Sequence, residues 1–412
     1  MNFWQTLPRP FFALAPMEAA SDVVFRRTLL EAGRIARESA SSNDQNENLA
    51  QHTAGRPDVF FTEFTNATSF CSSKGEPSTR GRLVFAPDEQ PIVAQIWGSR
   101  PDNFYQMAKS LRQRGFAGVD LNTGCPDKAV VKSGGGSALI ENPLLAVEII
   151  QAIQAGWRDG ENSIESAPTQ LSKKQPTLPA SSNPNFDDRS SRPSLRGSAL
   201  HFSSKKKRSP KLRSDNAYQS NNMISPISVK TRLGAHKVDE WRPWLTTLLR
   251  QNLANLTIHL RTRKEMSKVP AHYELIDEIV QLRNQIAPAT RLTINGDVRD
   301  RAHGRAIFAA HPGVDGLMIG RGAFANPFCF TDLQNPTRAQ LIRLLRFQLD
   351  QFDKWRKICE IDSRPIIRKF DPLKRFFKIY IKDFDGAKEL REKVFACRTT
   401  DEVRAILAAA GL

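Results

Sequence analysis

The segment "PIVAQIWGSRPDNFYQMAKSLRQRGFAGVDLN" (residues 91–122) has the pattern of a strand, a helix and a second strand. Residues 91–97 and 118–122 are short runs rich in apolar side chains, as expected for parallel strands that are buried on both faces. Residues 102–115 repeat apolar side chains at the helical period of about 3.6 residues. The segment therefore predicts a β-α-β unit in which a helix joins two parallel strands.

The same unit recurs along the chain. Helical patterns stand at 21–33, 102–115, 143–155, 239–253, 270–286 and 298–310. The strand-like runs are "FFALAP" (11–16), "DVFFTEF" (58–64), "PIVAQIW" (91–97), "GVDLN" (118–122), "ISVKTRL" (227–233), "NLTIHL" (255–260), "RLTIN" (291–295) and "DGLMIG" (315–320). Eight such units in series favour an α/β fold of the (β/α)8 or TIM-barrel type over an open sheet.

Two polar segments and a change of pattern divide the chain. We predict a barrel domain over residues 1–334 that carries disordered insertions at about 36–57 and 157–222, because both segments lack apolar periodicity. Each insertion lies between a helix and the next strand, on the face of the barrel opposite the catalytic face. From about Asn335 the pattern is helical only, which predicts a separate all-helical domain over residues 335–412.

The net charge of +17 is concentrated in two segments. Residues 335–412 hold 18 Lys and Arg against 11 Asp and Glu, and residues 157–222 hold 12 against 6. Such basic segments suit a polyanionic partner such as RNA, because contacts between Lys or Arg and phosphate release counterions. The alternative is that the charge serves solubility alone.

The composition excludes several classes of protein. A hydrophobic content of 40% can build a full core, which excludes a wholly disordered chain. No segment approaches the roughly 18 uninterrupted apolar residues of a membrane span, and no secretory leader pattern is present, so we expect a cytoplasmic protein without membrane contact. The five cysteines are scattered, without a CxxC pair or zinc-like spacing, so we expect neither a disulfide framework nor a metal site.

Polar side chains and glycines cluster where the predicted strands end. In a TIM barrel these carboxyl ends form the catalytic face. An unpaired polar group in a buried strand costs on the order of 1–3 kcal/mol, so the pattern indicates a functional site. In strand order the residues are Pro16 and Met17, Glu63, Gln95, Asn122 and Cys125, Lys230, His259 and Arg261, Asn295, Gly296 and Asp297, and Gly320 and Arg321.

The turns after the seventh and eighth strands indicate a bound phosphate. Residues 295–297 ("NGD") and 320–322 ("GRG") contain the glycines that allow backbone N–H groups to face an anion at this position of a barrel. Lys230, His259 and Arg261 are placed to reach the same anion or a reduced ring. We therefore predict a phosphorylated planar cofactor, most simply FMN.

Cys125 stands between Gly124 and Pro126 on the polar loop after the fourth strand. This position distinguishes it from a cysteine that only fills a core. The loop has no adjacent His to activate a thiolate nucleophile. A thiol of ordinary pKa, about 8.5, is mostly protonated at neutral pH. We therefore interpret Cys125 as a proton donor.

Seven segments resemble the tRNA-dihydrouridine synthases, in particular the bacterial branch with a GGG loop. They follow the family's order across nearly the whole barrel, and the "NxGCP" and "GRG" pieces are the most specific. The segments are "APMEAASDVVFR" (15–26), "VAQIWG" (93–98), "GVDLNTGCPDKAVVKSGGGSALI" (118–140), "SVKTRLG" (228–234), "TIHLRT" (257–262), "INGDV" (294–298) and "GLMIGRGAFANP" (316–327).

The resemblance implies an FMN-dependent oxidoreductase that reduces the C5–C6 bond of a tRNA uridine with NADPH. It implies that hydride passes from reduced flavin to C6 and that the loop cysteine, here Cys125, protonates C5. The implied cofactor contacts are Pro16, Met17 and Gln95 on the isoalloxazine ring, Lys230 and His259 on its polar edge, and Asn295, Gly296, Asp297, Gly320 and Arg321 on the phosphate.

On the substrate side, the resemblance implies that Asn122 helps to place the uracil and that Lys128, Lys132 and Arg261 face the RNA. The basic helical domain would grip the tRNA and supply the few kcal/mol that extrusion of a base costs. We expect a monomer. Leu260 replaces the small residue usual in this family, and we expect it to narrow the pocket.

Two other functions fit parts of the sequence. A small-molecule FMN reductase, similar to dihydroorotate dehydrogenases or ene-reductases, would use the same barrel, but Cys125 and the basic tail argue against it. A non-catalytic RNA-binding protein would account for the charge, but not for Cys125, Lys230 and His259 at the strand ends. Fold analogy alone does not separate these functions.

Overall fold

The computed structural model describes residues 2–41, 55–165, 225–361 and 369–412. Within these ranges, parallel strands form a barrel with helices around it, and a set of helices follows the last strand. The predicted TIM barrel with a helical region after it is therefore confirmed.

Eight of the strands match the eight predicted runs, and one further short strand, β3 (Thr65–Asn66), directly follows the second run. In chain order the strands are β1 (Phe11–Leu14), β2 (Phe60–Phe61), β3 (Thr65–Asn66), β4 (Ile92–Trp97), β5 (Gly118–Asn122), β6 (Ile227–Arg232), β7 (Asn255–His259), β8 (Arg291–Asn295) and β9 (Gly316–Ile319). The parallel sheet has the order β1-β9-β8-β7-β6-β5-β4-β2, and β3 pairs with the end of β4. A parallel bridge between Ala13 and Val59 closes the circle.

Helices alternate with the strands and then continue alone. They are α1 (Val23–Ser41), α2 (Ala67–Phe70), α3 (Glu76–Arg80), α4 (Pro101–Gln113), α5 (Lys128–Lys132), α6 (Pro143–Glu165), α7 (Trp241–Leu249), α8 (Ile276–Ile286), α9 (Arg301–Ala310), α10 (Arg321–Ala325), α11 (Arg338–Ile361), α12 (Asp371–Lys374), α13 (Phe377–Tyr380), α14 (Ala387–Ala396) and α15 (Thr400–Ala409). Among the residues that the structure describes, no helix has both the length and the apolar character needed to cross a membrane.

Both predicted insertions begin later than the sequence suggested. Helix α1 continues to residue 41 and α6 to residue 165, so residues 36–41 and 157–165 are helical and not disordered. Of the rest of the predicted insertions, residues 42–54 and 166–222 lie outside the described residues, and residues 55–57 are described and lead into β2. Each insertion does lie between a helix and the next strand, as predicted.

Ion pairs explain why these polar helix ends are ordered. Glu38 on α1 accepts a hydrogen bond of 2.6 Å from Arg343 on α11, and Glu161 on α6 accepts one of 2.7 Å from Arg112 on α4. Trp157 adds an apolar contact, since only 2% of its surface is exposed. These contacts between helices distant in sequence cannot be deduced from the local hydrophobicity.

The barrel interior has an apolar layer at its amino-terminal end. Trp4, which precedes β1, packs against the rings of Phe11 and Phe61, at centroid distances of 5.8 and 6.3 Å. Towards the carboxyl ends the inward side chains become polar, beginning with Gln95, Asp120 and Ser228. The apolar layer therefore closes one end of the barrel, and the other end is left for polar chemistry.

The helices after the barrel share its apolar core. Phe376, just before α13, stacks on Phe25 of α1 at 4.8 Å and on Phe324 of α10 at 5.7 Å, and Phe25 and Phe324 stack on each other at 5.5 Å. Because α10 begins at the turn after β9, this aromatic cluster joins the helical region to one wall of the predicted site.

We expect Phe376→Ala to lower the free energy of unfolding by about 3–5 kcal/mol, because the side chain is 4% exposed and its removal leaves a cavity between three elements. Phe395→Ala is the matched control, since that ring is 41% exposed, and we expect a cost below about 1 kcal/mol. Denaturant unfolding followed by tryptophan fluorescence measures both. Equal destabilisation of the two variants would contradict the interpretation that this cluster packs the helical region against the barrel.

Candidate active site

The predicted site residues are brought together at the carboxyl ends of the strands, where hydrogen bonds link them into three groups. The first group connects Gln95 and Asn122 to the Cys125 loop. The second connects Lys230 to Asn295. The third connects His259, Arg261, Asp297 and Arg321.

The first group begins deep in the barrel, at Asp120. Its carboxylate accepts hydrogen bonds from Ser228 Oγ at 2.6 Å and from Gln95 Nε2 at 2.7 Å. Gln95 Oε1 in turn accepts from Asn122 Nδ2 at 3.0 Å. Every one of these side chains is buried, so the hydrogen bonds offset the desolvation of their polar atoms.

Asn122 holds the backbone of the cysteine loop. Its Oδ1 accepts from the backbone N–H groups of Gly124 at 3.0 Å and of Cys125 at 2.9 Å. Behind the loop, the backbone N and Oγ of Ser137 donate to the carbonyl oxygen of Cys125 at 3.0 and 2.8 Å. Cys125 is therefore fixed through its backbone while its thiol stays half-buried.

The glycine-rich segment at 134–137 packs against this loop. Gly136 has a φ of 57°, which favours glycine, and a Cβ there would lie 2.7 Å from Val130 Cγ1 and 2.9 Å from the carbonyl oxygen of Cys125. No other residue type fits the turn without displacing the cysteine. The sequence did not predict this packing, because a run of glycines shows neither the positive φ of Gly136 nor its close approach to the Cys125 backbone.

The thiol of Cys125 is held in its protonated form. Burial raises the pKa of Cys125, and this effect exceeds the opposing effects of a hydrogen bond from the backbone N–H of Asp127 and of the nearby charge of Arg232. Among the described residues, no group of three or more His, Cys, Asp or Glu side chains could hold a metal ion. The geometry suits a proton donor.

Arg232 is a site residue that the sequence pattern did not single out. Its Nε donates to the carbonyl oxygen of Gly124 at 2.7 Å, and its Nη1 donates to the carbonyl oxygens of Thr262 and Met266 at 3.0 and 2.8 Å. The side chain thus ties the loops after β5 and β7 together beneath the thiol. The sequence feature that could have identified Arg232 is its position at the end of β6, two residues after Lys230 and therefore on the same face of the strand.

The second group is centred on Lys230. Its Nζ donates to Asn295 Oδ1 at 2.9 Å, and Asn295 Nδ2 donates to the carbonyl oxygen of Met318 at 2.9 Å. Burial, reinforced by the charge of Arg232, lowers the pKa of Lys230 to about 8. The ammonium group is therefore acidic for a lysine, which makes it a strong hydrogen-bond donor.

His259 is neutral at physiological pH. Burial lowers its pKa far below the usual range, and the positive charges of Lys230, Arg232 and Arg261 act in the same direction. Arg261 Nη1 lies 3.1 Å from His259 Nε2. Because a guanidinium can only donate, Nε2 is the acceptor and the proton of the neutral ring resides on Nδ1.

Asp297 holds two arginines at the turn after β8. Its carboxylate accepts hydrogen bonds from Arg261 and, at 2.6 Å, from Arg321 Nη2, and also from the backbone N–H of Ala271 at 3.1 Å. Although burial works to raise the pKa of Asp297, these bonds and charges hold it below its usual value. The side chain is thus an anion that orients cations and is itself unsuited to touch a phosphate, so the predicted phosphate contact is left to the backbone of this turn.

The glycines of both turns allow close packing at the barrel mouth. Gly296 has a φ of 118°, and a Cβ there would lie 3.0 Å from the Cβ of Ala271 and 3.3 Å from His259 Cδ2. A Cβ on Gly320 would lie 3.9 Å from the Sδ of Met17, which follows Pro16 after β1. The turns after β1 and β9 therefore face each other across a narrow gap.

The remaining predicted residues lie at the edge of the site. Lys128 and Lys132 are exposed on α5, and their side chains have no hydrogen-bond or ion-pair partner in the described ranges. Glu63, one of the strand-end residues, is buried, and its Oε1 forms an ion pair with Arg82 Nη1 at a distance of 4.0 Å. Leu260 is fully buried in the core between strands and helices, so the expectation that it narrows the pocket is wrong: His259 points inward and its neighbour must point outward.

Comparison with known proteins agrees with this geometry. A profile of the family described as dihydrouridine synthase matches residues 13–158 and 216–410. The chain belongs to the dihydrouridine synthase family. The family recognised from the sequence is therefore confirmed, and so is the prediction that the chain is an oxidoreductase.

Relatives match over nearly the whole chain. A probable tRNA-dihydrouridine synthase 2 of Bacillus subtilis (strain 168) is 44% identical over 98% of this chain and 95% of its own length. A probable tRNA-dihydrouridine synthase of Staphylococcus aureus (strain COL) is 42% identical over 98% and 94%. A solved structure of morphinone reductase in complex with tetrahydroNAD aligns with a TM-score of 0.40 and 12% identity over 80% of this chain and 89% of that one, a likeness too low to add to the assignment.

We expect the apparent pKa of Cys125 to lie above the usual thiol value of about 8.5, because burial disfavours the thiolate. The pH dependence of iodoacetamide alkylation, followed on the peptide that contains Cys125, measures it, with Cys125→Ser as the control for peptide assignment. Alkylation should be slow at pH 7 and should rise only in alkaline solution. A midpoint near pH 7 would instead identify an activated nucleophile.

Proposed function

We propose that this protein reduces specific uridines of tRNA to 5,6-dihydrouridine, with FMN as its cofactor and NADPH as the reductant. The observation that carries the proposal is Cys125, a protonated thiol held by its backbone at the carboxyl end of β5 in a chain of the dihydrouridine synthase family. The thiol has the protonation state that a donor to C5 of the uracil requires.

The residues at the barrel mouth fit a phosphorylated planar cofactor. Gly320 has no side chain at the turn after β9, and Met17 offers an apolar surface beside it. Arg321 is 65% exposed and keeps donors free beyond its bond to Asp297, which suits a phosphate. When bound, FMN would supply the hydride for C6, and NADPH would restore its reduced form.

The other cofactor residues follow from their chemistry. Lys230 and the Nδ1–H of neutral His259 are donors for the polar edge of the ring, while Gln95 and Pro16 contact its faces. Asn295 orients Lys230. The turns at 295–297 and 320–322 enclose the phosphate, as in other barrels of this type.

Proton transfer from Cys125 leaves a thiolate that the loop can stabilise. The backbone N–H of Asp127 and the positive charge of Arg232 both favour the charged form of the sulfur. Burial keeps the thiol protonated before the reaction, and these two groups limit the cost of its anion afterwards. The same environment therefore serves both protonation states of the donor.

The proposed substrate contacts depend on which polar groups of the site already have hydrogen-bond partners in the protein. One hydrogen of Asn122 Nδ2 is bound to Gln95, and the other is available to a uracil oxygen. Arg261 was expected among the substrate contacts, but it is 2% exposed and bound to Val269, His259 and Asp297. We propose that Arg261 supports the cofactor turn and does not touch RNA.

Two basic surfaces are proposed for the tRNA itself. Lys128 and Lys132 project next to the Cys125 loop, and the helical region from residue 335 carries the larger share of the excess charge. Contacts with the phosphate backbone would offset the cost of turning one uridine out of its stack.

We expect the wild type, incubated with unmodified tRNA, FMN and NADPH, to form dihydrouridine, and Cys125→Ala to lower its rate by about 100-fold or more, since the proton donor is removed. Mass spectrometry of the nucleosides measures the product. The Ala variant should still bind flavin and oxidise NADPH, because Cys125 is placed against the substrate. NADPH oxidation without dihydrouridine in the wild type would point to the small-molecule reductase.

We expect Lys128→Gln/Lys132→Gln to weaken tRNA binding and to reduce the slope of log affinity against log salt by about 0.7–0.9 for each phosphate that is no longer neutralised. Arg250→Gln is the matched control, because Arg250 is exposed at the end of α7, where the chain enters β7 on the opposite face of the barrel. Filter binding across a salt series measures both. An equal change in the control would show that the effect is one of net charge only.

A further inference from the structure

Asp120 is buried at the centre of the barrel and takes no part in the proposed proton and hydride transfers. It is 0% exposed, and it pairs across the sheet with Gln95 on one side and with Ser228 on the other. Its two carboxylate oxygens accept one hydrogen bond from each neighbour. A charge buried so deeply costs free energy, so its presence calls for a reason.

A buried carboxylate at this position determines which atoms of its neighbours donate hydrogen bonds and which accept them. An ionised carboxylate can only accept, so Gln95 must turn its Nε2 towards Asp120 and its Oε1 towards Asn122. Asn122 must then donate through Nδ2, which leaves Oδ1 to face the backbone N–H groups of Gly124 and Cys125. Asp120 thus fixes both amide orientations from one end of the chain of bonds, as an acceptor, and the N–H groups of Gly124 and Cys125 fix them from the other end, as donors.

Without Asp120 nothing at this end of the chain of bonds selects the orientation. If the Gln95 amide turned over, its Nε2 would face Asn122 Nδ2, and two donors would oppose each other. A compensating turn of Asn122 would place its Nδ2 against two backbone N–H groups. Both hydrogen bonds that hold the Cys125 backbone would then be broken.

We propose that Asp120 is a positioning residue whose acceptor-only carboxylate sets the orientation of Gln95 and Asn122 and thereby holds Cys125 in place to deliver its proton. The part that concerns proton delivery rests on the proposed function, whereas the part that concerns the loop does not.

The carboxylate form is present at neutral pH. Burial raises the pKa of Asp120 to about 6, and the hydrogen bonds from Ser228 and Gln95 and the charge of Lys230 on β6 limit the rise. Asp120 is thus ionised at pH 7 and above, where the orientation that it imposes is maintained.

Three single substitutions separate this role from simple packing. Asp120→Leu keeps the number and branching of the side-chain heavy atoms but has no acceptor. Asp120→Asn should restore the chain of bonds, because its Oδ1 can still accept from Gln95 while the hydroxyl of Ser228 turns to accept from the new Nδ2. The reversed Asn orientation is disfavoured, because it would turn Gln95 and Asn122 against the donor N–H groups of Gly124 and Cys125. Ser228→Ala removes the other bond to Asp120 at the same depth and leaves the bond to Gln95, so it is the matched control.

The first readout needs neither cofactor nor tRNA. Alkylation of Cys125 by iodoacetamide, followed on its own peptide, reports how far the loop departs from its half-buried position. We expect Asp120→Leu to raise the rate by about 30-fold, because the loop loses two hydrogen bonds worth roughly 1 kcal/mol each. Asp120→Asn and Ser228→Ala should stay within about twofold of the wild type.

The second readout is a single turnover of reduced holoenzyme with tRNA. A displacement of the thiol by about 1 Å should lower the rate constant by about 10- to 100-fold in Asp120→Leu, with an unchanged KM for tRNA and with recovery in Asp120→Asn. A structural role alone would lower the melting temperature and leave this rate constant intact in the folded fraction.

The outcomes are distinguishable. If the wild type forms no dihydrouridine, the proposed function fails, while the alkylation rates still test the loop. Asp120→Leu rates within about twofold of the wild type in both assays, or equal effects in Ser228→Ala, would overturn the role of Asp120. If Asp120→Leu does not fold, Asp120→Ala, which removes the acceptor without adding apolar volume, takes its place with the same expected results.

Discussion

The structure depends on one constraint: polar side chains buried in the barrel must find partners. At the mouth, Gln95, Asn122, Lys230 and Asn295 satisfy one another or the backbone, so that none can rotate without exposing an unpaired group. These hydrogen bonds make the site rigid. Transfer of a proton to one face of a base requires such rigidity. The hydrogen bonds that satisfy the buried polar groups are therefore the same bonds that position the residues of the site.

Electrostatics at the mouth follow from burial more than from the number of charges. Lys230, Arg232 and Arg261 lie close together, and their combined field, added to desolvation, keeps His259 neutral and lowers the pKa of Lys230. Asp297 balances part of this field at the turn where it pairs with Arg261 and Arg321, and Asp120 opposes it from deeper in the barrel. The mouth as a whole thus favours anionic ligands, while Cys125, at its edge, remains a neutral acid.

Most of the fold could be predicted from the sequence, because parallel strands buried on both faces give short apolar runs, and their carboxyl ends carry the polar residues. Cys125, Lys230 and Asn295 were found in this way. Arg232, Asp120 and Gly136 were not, because their roles depend on contacts across strands and on a positive φ that a linear pattern does not encode. For the same reason, the ends of α1 and α6 were mistaken for insertions: their order comes from ion pairs with distant helices.

The aromatic cluster of Phe25, Phe324 and Phe376 has a consequence for how the sequence can vary. Exposed positions of the terminal helices, such as Lys388 and Glu392, lie outside this cluster and can change without disturbing it. Phe376 packs on α1 and on α10, which begins at the turn after β9, so a substitution there alters the terminal helices and the barrel at once. Sequence change in the helical region is therefore most constrained at this junction.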